Sequence, residues 1–196
     1  MPYRFLLIIA ALCLLLAGCK QPPPPPEPTL TPVSTAGFPG VTPYTDTANK
    51  FSIQFPSGWQ APAAMQNGTG VTAKGPRSSA QEKTPPIALV TADQVKLLGE
   101  GNRDQQLKDV QDQDINDWKS VYSDLQITKE EAISIGTLQG RRANYTFTIK
   151  GDPVTSDYYV IINGQTAYKI QLMVDTSAYP QVQPDFEKIA GSFQAQ

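Results

Sequence analysis

Five consecutive prolines, Pro22 to Pro26, with Pro28, Pro32, Pro39 and Pro43 after them, decide where a fold can begin in this chain. Proline fixes φ and removes a backbone donor, so a stretch this dense cannot build a helix or a sheet interior. It prefers the extended polyproline II form. Residues 19–45 are therefore read as a Pro-rich linker, and residues 46–196 as the folded domain. At about 3.1 Å per residue, a stiff linker holds a domain several nanometres from its point of attachment. A spacer fits this composition better than a PxxP docking site.

The segment before the linker names that point of attachment. Met1-Pro2-Tyr3-Arg4 is a short basic start, and Phe5 to Ala17 is an apolar run without a charge. Spanning a bilayer takes roughly 20 helical residues, so this run is too short to cross. It has the length of a secretory signal instead, and it closes on Leu16-Ala17-Gly18-Cys19. Small residues before a cysteine let its thiol reach a lipidating enzyme. The expectation is a signal peptide over 1–18, cleavage between Gly18 and Cys19, and a lipid-modified Cys19. Two or three acyl chains anchor a protein stably to a bilayer. This places the chain in a bacterial cell envelope, extracytoplasmic and held by membrane lipid. Lys20, where an inner-membrane retention signal has Asp, points to the outer membrane in a cell with two membranes.

Cys13 and Cys19 are the two cysteines, so the domain can form no disulfide and offers no thiolate. Its stability has to come from one hydrophobic core; a domain of about 150 residues buries roughly two-thirds of its unfolded surface. With 16 basic and 18 acidic residues the chain is nearly neutral, which argues against a nucleic-acid partner. There is no histidine. That removes the Ser-His-Asp triad, the Cys-His pair and most zinc sites. Neither a Ser-x-x-Lys motif nor a GxxxxGK[ST] phosphate loop occurs. A non-enzymatic protein with no cofactor and no metal is expected.

Within the domain, Phe51-Ser52-Ile53-Gln54-Phe55 alternates with the period of a half-buried strand and ends in a turn at Pro56-Ser57-Gly58. Residues 66–70 read as a tight turn, and Ile87 to Val90 as a buried strand. Residues 103–125 carry Leu107, Val110, Trp118, Val121, Tyr122 and Leu125 at helical spacing. Asp114 interrupts that stripe. Either the helix is irregular there or a new helix begins at Asp114 with the carboxylate as its cap. Ala143 to Lys150 alternates as a strand. Asp157 to Ile162 and Thr166 to Val174 are joined by Asn163-Gly164, a strong hairpin signal. A last helix is expected to begin at Pro184 and to carry Phe186, Ile189 and Phe193 on one face. Mixed strands and helices with an antiparallel hairpin indicate an α+β fold.

Asp109, Asp112, Asp114 and Asp117 cluster in sequence, and Asp112-x-Asp114-x-Asn116 imitates the start of a calcium loop. The imitation fails at Asp117, where the loop needs glycine, and at Ser123, where it needs a bidentate glutamate. On a helix Asp109 and Asp112 point outward and Asp114 inward. An acid pair of glycosidase type has no spacing here to select it. Trp59, Tyr158 and Tyr168 are the candidate ligand or partner surface, because such rings pair an apolar face with a polar tip.

Two stretches resemble a known family. Phe51-Ser-Ile-Gln-Phe55-Pro56-Ser-Gly58-Trp59 resembles the first strand and turn of PsbP-like proteins. Asn163-Gly164-Gln-Thr-Ala-Tyr168-Lys-Ile170 resembles their penultimate hairpin, and Phe186-x-x-Ile189-Ala-x-Ser192-Phe193 their closing helix. The resemblance implies a central antiparallel sheet flanked by helices, an α/β/α sandwich. It implies no enzymatic activity, and an accessory or assembly role on a membrane-associated partner, as in the photosystem proteins. Some members bind metal through histidine with carboxylates, a ligand this chain lacks. A small-ligand receptor or carrier with an aromatic pocket is the alternative.

Overall fold

The computed structural model describes residues 28–35, 37–95 and 102–196. The expected signal peptide, the Gly18–Cys19 cleavage point and Pro22 to Pro26 lie outside the described residues. In chain order the elements are β1 (Thr31–Pro32), β2 (Val41–Asp46), β3 (Phe51–Pro56), β4 (Ala63–Ala64), β5 (Gly70–Lys74), β6 (Ile87–Gln94) and α1 (Arg103–Val121). β7 (Gln126–Ile135), β8 (Leu138–Ile149), β9 (Asp152–Asn163), β10 (Thr166–Asp175), α2 (Tyr179–Gly191) and β11 (Gln194–Ala195) follow. The fold is a sheet-dominated α+β fold. An eight-stranded sheet has the order β1-β7-β8-β9-β10-β6-β5-β4, and a second, three-stranded sheet has the order β11-β3-β2. Ladders are antiparallel except where β1 runs parallel to β7.

β9 explains how one sheet supports two cores. Its side chains alternate between faces, and a strand covered on both sides reads as a continuous apolar run. Tyr159 and Ile161 enter a core with Phe51, Ile53, Phe55, Ile170, Leu172, Phe186 and Ile189, between the large sheet, the small sheet and α2. Tyr158, Val160 and Ile162 enter the opposite core with Leu107, Ile115, Tyr145 and Phe147, beneath α1. Each face thus carries one helix, and on one of them the small sheet shares the work of covering.

α1 is continuous through Asp114, so no second helix starts there. Asn102 caps it, accepting from the Asp104 amide at 3.0 Å, and satisfies one of the free donors of the first turn. The helix ends at Val121 rather than at residue 125. Of the expected stripe, Leu107, Val110, Trp118, Tyr122 and Leu125 join the core beneath the helix together with Ile115, and Val121 alone departs from it, at 70% exposed. The closing helix starts at Tyr179, five residues before Pro184. Pro180 occupies the first turn, where its missing N–H costs nothing, and Pro184 sits inside the helix. The β9–β10 hairpin turns on Gly164-Gln165, since Asn163 pairs with Thr166. Gly164 has φ +60°, the conformation a two-residue loop with glycine first requires.

The expected linker boundary at residue 45 is too late. Thr31–Pro32 pairs with Ile133–Ser134, the Val33 amide donates to the Ser134 carbonyl at 2.9 Å, and Val41–Asp46 pairs along β3. Both Pro32 and Pro43 lie in strands at a sheet edge, where a missing donor breaks no ladder on the open side. Gly191 leaves room for this arrangement: a Cβ there would stand 1.8 Å from the Ser34 carbonyl oxygen. Gly191→Ala is therefore expected to push Ser34 away from α2 and to loosen Thr31–Val33 from β7. Limited proteolysis should cut before Phe38 about tenfold faster or more, the equivalent of one or two lost backbone hydrogen bonds. An unchanged cutting rate would show that the segment is held by something other than this contact.

A buried polar cluster fastens α2 to the large sheet. Asp157, fully buried on β9, accepts from Arg142 Nε at 3.3 Å and Nη2 at 3.0 Å, from Asn144 Nδ2 at 3.0 Å, and from the Tyr179 hydroxyl at 3.1 Å. Arg142 Nη1 also faces Glu187 at 3.3 Å and Glu131 at 3.7 Å, and its guanidinium lies 5.4 Å from the centre of the Tyr159 ring. Burial opposes the Arg142 charge, but the neighbouring Tyr159 and Asp157 oxygens outweigh it and raise the pKa. Burial first, and Asp157 second, push the Tyr179 phenol up, so it remains a donor at neutral pH.

Candidate functional site

On the α1 face the helix covers β8 and β9 and stops short of β6. The uncovered sheet and the flank of the helix enclose a cleft of about 220 Å³. Strand alternation puts Leu89, Thr91 and Asp93 of β6 on this face, and Lys169 and Gln171 of β10 beside them. The register sets Lys169 opposite Thr91 and Gln171 opposite Leu89, with Tyr158 of β9 on the far side of Gln171. Asp114 and Trp118, four residues apart on α1, share the helix face that overhangs this strip. Met65, between β4 and β5, completes the wall.

Two carboxylates and one ammonium dominate the chemistry. Lys169 Nζ lies 2.8 Å from Asp114 Oδ1 and 3.0 Å from Asp93 Oδ2. The Tyr158 hydroxyl donates to the other oxygen of Asp114. Burial works against the Lys169 charge, yet its hydrogen bonds with Asp114 and Asp93 raise its pKa. Burial, then the Asp114 charge, push the Tyr158 phenol well above its usual range, so it stays a donor. Trp118 meets the Tyr158 ring edge-on at 4.6 Å and lies 5.2 Å from Tyr145, whose hydroxyl accepts from Gln171 at 2.7 Å. The side chains of Asp114 and Lys169 are 15% and 20% exposed and that of Asp93 is 42% exposed, which makes Asp93 the carboxylate that faces solvent.

The three aromatic residues singled out from sequence do not converge. Tyr168 lies opposite Ile161, an odd number of positions from Tyr158, so the two tyrosines face opposite sides of the sheet. Tyr168 packs against Phe51 and Phe193 and donates to the Lys50 carbonyl at 3.2 Å. Trp59 stacks on Phe55 in the same core. Of the three, Tyr158 alone reaches the cleft. Asp109 and Asp112 lie on the outer side of α1, bonded to Gln105 and Lys108, and Asp114 points inward as its place in the stripe indicated. Among the described residues no group of three His, Cys, Asp or Glu side chains is placed to hold a metal ion.

Comparison with known proteins follows the same lines. The family model described as PsbP matches residues 39–195, from just before β2 to the end of β11. The chain belongs to the PsbP family. Among solved structures, the cyanobacterial PsbP of Synechocystis sp. PCC 6803 matches with a TM-score of 0.61 at 14% identity, over 83% of this chain and 96% of that one. LpqN of Mycobacterium tuberculosis, described as involved in cell envelope biogenesis, matches with a TM-score of 0.55 at 10% identity, over 79% and 90% of the two chains. A Pseudomonas aeruginosa protein of unknown function, described as a putative regulator, matches with a TM-score of 0.51 at 13% identity, over 80% and 97%. No curated protein sequence matches. At these identities the three solved structures show a shared fold.

Sequence reasoning missed Asp93 and Lys169, and it assigned Trp118 to the core. Asp93 and Lys169 are joined only by the β6–β10 ladder, and no local pattern announces a pairing between strands that distant in sequence. Asp114 did leave a signal, as the one acid within the apolar stripe.

Proposed function

We propose that this PsbP-family chain is a lipid-anchored, non-enzymatic accessory protein of the bacterial cell envelope that binds or stabilises a membrane-associated partner. The family match over residues 39–195 carries this reading. The description of the mycobacterial relative as involved in cell envelope biogenesis agrees with it. The non-enzymatic part is supported by the cleft, whose ionisable groups engage one another: Lys169 sits between two carboxylates, and Asp114 also accepts from Tyr158. No helix among the described residues is long and apolar enough to cross a membrane.

The mechanism is effective concentration. A tether keeps the domain beside membrane partners, so contacts too weak for free association suffice. With β1 docked on β7, the linker expected from the sequence spans residues 19–30. In polyproline form that is roughly 4 nm of reach at about 3.1 Å per residue. The outer membrane is the proposed site in a cell that has two.

Cross-linking and co-purification from native membranes test this, comparing the wild type with Cys19→Ala. A defined membrane complex recovered with the anchored form and lost, or reduced about 100-fold, in the variant is the expected result. Equal recovery from both forms would remove the tether from the mechanism, and catalytic turnover by the purified protein would remove the accessory role. A second reading, a small-ligand receptor, is favoured by the cleft alone.

A further inference from the structure

We propose that the cleft beneath α1 binds a small organic cation, an amine or guanidinium on a short apolar stem. This rests on the receptor reading of the cleft and stands apart from the accessory role. The charge count decides the sign of the ligand. Asp93 and Asp114 carry two negative charges against the single positive charge of Lys169, and all three line one cavity. An anion would meet a net repulsion. A cation instead finds Asp93 at the open side, its carboxylate 42% exposed and only partly neutralised by the shared Lys169.

The walls select a stem. Met65, Leu89 and Trp118 give apolar surface, and an indole ring is the aromatic that attracts a cation most strongly. Gln171 and Thr91 add polar groups between them. Size sets the limit: 220 Å³ at about 30 Å³ per water molecule holds roughly seven waters, comparable to a lysine or arginine side chain. Two sources offer this chemistry, a free amine or a basic side chain presented by a protein partner.

The chain has two tryptophans, so an indole-labelled full-length protein in detergent gives two N–H signals, one for each. Trp118 lines the cleft and Trp59 lies in the opposite core, which makes the second an internal control. Titration with agmatine and, separately, with an N-acetylated Gly-Arg-Gly amide is expected to shift the Trp118 signal saturably and leave Trp59 in place. Asp93→Asn should weaken binding about tenfold or more, the value of one hydrogen bond to a charged group. Saturation by agmatine alone identifies a free amine as the source, and saturation by the peptide alone or by both identifies a peptide-borne side chain. The proposal is overturned by no saturable shift up to about 10 mM of either probe. An unchanged affinity in Asp93→Asn, or N-acetylglucosamine shifting the signal in their place, overturns it too. Because the readout ignores the anchor, failure here leaves the co-purification result untouched.

Discussion

Asp157→Ala is expected to lower the unfolding free energy of the domain by about 3–5 kcal/mol, because it removes the fully buried counter-charge of a buried guanidinium and leaves it only the part-exposed Glu131 and Glu187. Arg142 is 12% exposed and Asp157 not at all, so water cannot take over the lost contacts. Three partners lose an acceptor together: Arg142, Asn144 and the Tyr179 hydroxyl. With a urea slope of about 2 kcal/mol per molar, the midpoint should fall by about 1.5–2.5 M. The double variant Asp157→Leu, Arg142→Met should recover much of the loss, since replacing a whole buried ion pair with apolar groups is often close to neutral. Glu131 and Glu187 are part-exposed and can turn to water once Arg142 is gone. A single variant that loses less than about 1 kcal/mol would mean that α2 is held by its apolar contacts alone.

This cluster lay outside the reach of sequence reading, and the reason is physical. Asp157 sits in a strand whose alternation marks Tyr159 and Ile161 as its neighbours on one face of the sheet. An acid in such a row reads as a strand end, and only the tertiary partners on β8 and α2 make it tolerable there. The strands that did show themselves were those with one local rule in force. Phe51 to Phe55 alternates cleanly because the small sheet buries one face of β3, and the β9–β10 hairpin shows through its glycine. β7 gave no signal. It lies near the sheet edge, much of it is exposed, and its Lys129-Glu130-Glu131 run masks the period. The short β1 was hidden by a composition that argues for a linker; it pairs with β7 at Thr31 and Pro32 and is continued by the Val33–Ser134 hydrogen bond.

The candidate site was legible in proportion to how local its signals were. Asp114 announced itself by breaking a helical stripe. Tyr158 was one of three conspicuous rings, but nothing local reveals which face of a fully buried strand a ring takes. That depends on register, and a shift of one position sends every side chain to the other side. Asp93 and Lys169 became neighbours through β-ladder pairing alone.

Phe51→Ala is expected to cost about 3–5 kcal/mol, the range for removing a buried aromatic ring from a core that cannot collapse around the gap. The ring is fully buried and lies 6.0 to 6.2 Å from Phe193, Tyr168 and Tyr44. Those three come from the C-terminal strand region, β10 and β2, so one side chain ties the small sheet to the large one. Aromatic pairs add about 0.5–1.5 kcal/mol beyond their area, so Phe51→Leu should lose less than half of what alanine loses. The informative control is Val121→Ala. The helical spacing puts Val121 on the same apolar stripe as Leu107, whereas the structure leaves it 70% exposed. It should therefore change stability by no more than about 0.5 kcal/mol. Thermal or urea unfolding of the three variants checks the whole arrangement. A large loss at Val121 with a small one at Phe51 would put the core on the wrong side of the sheet.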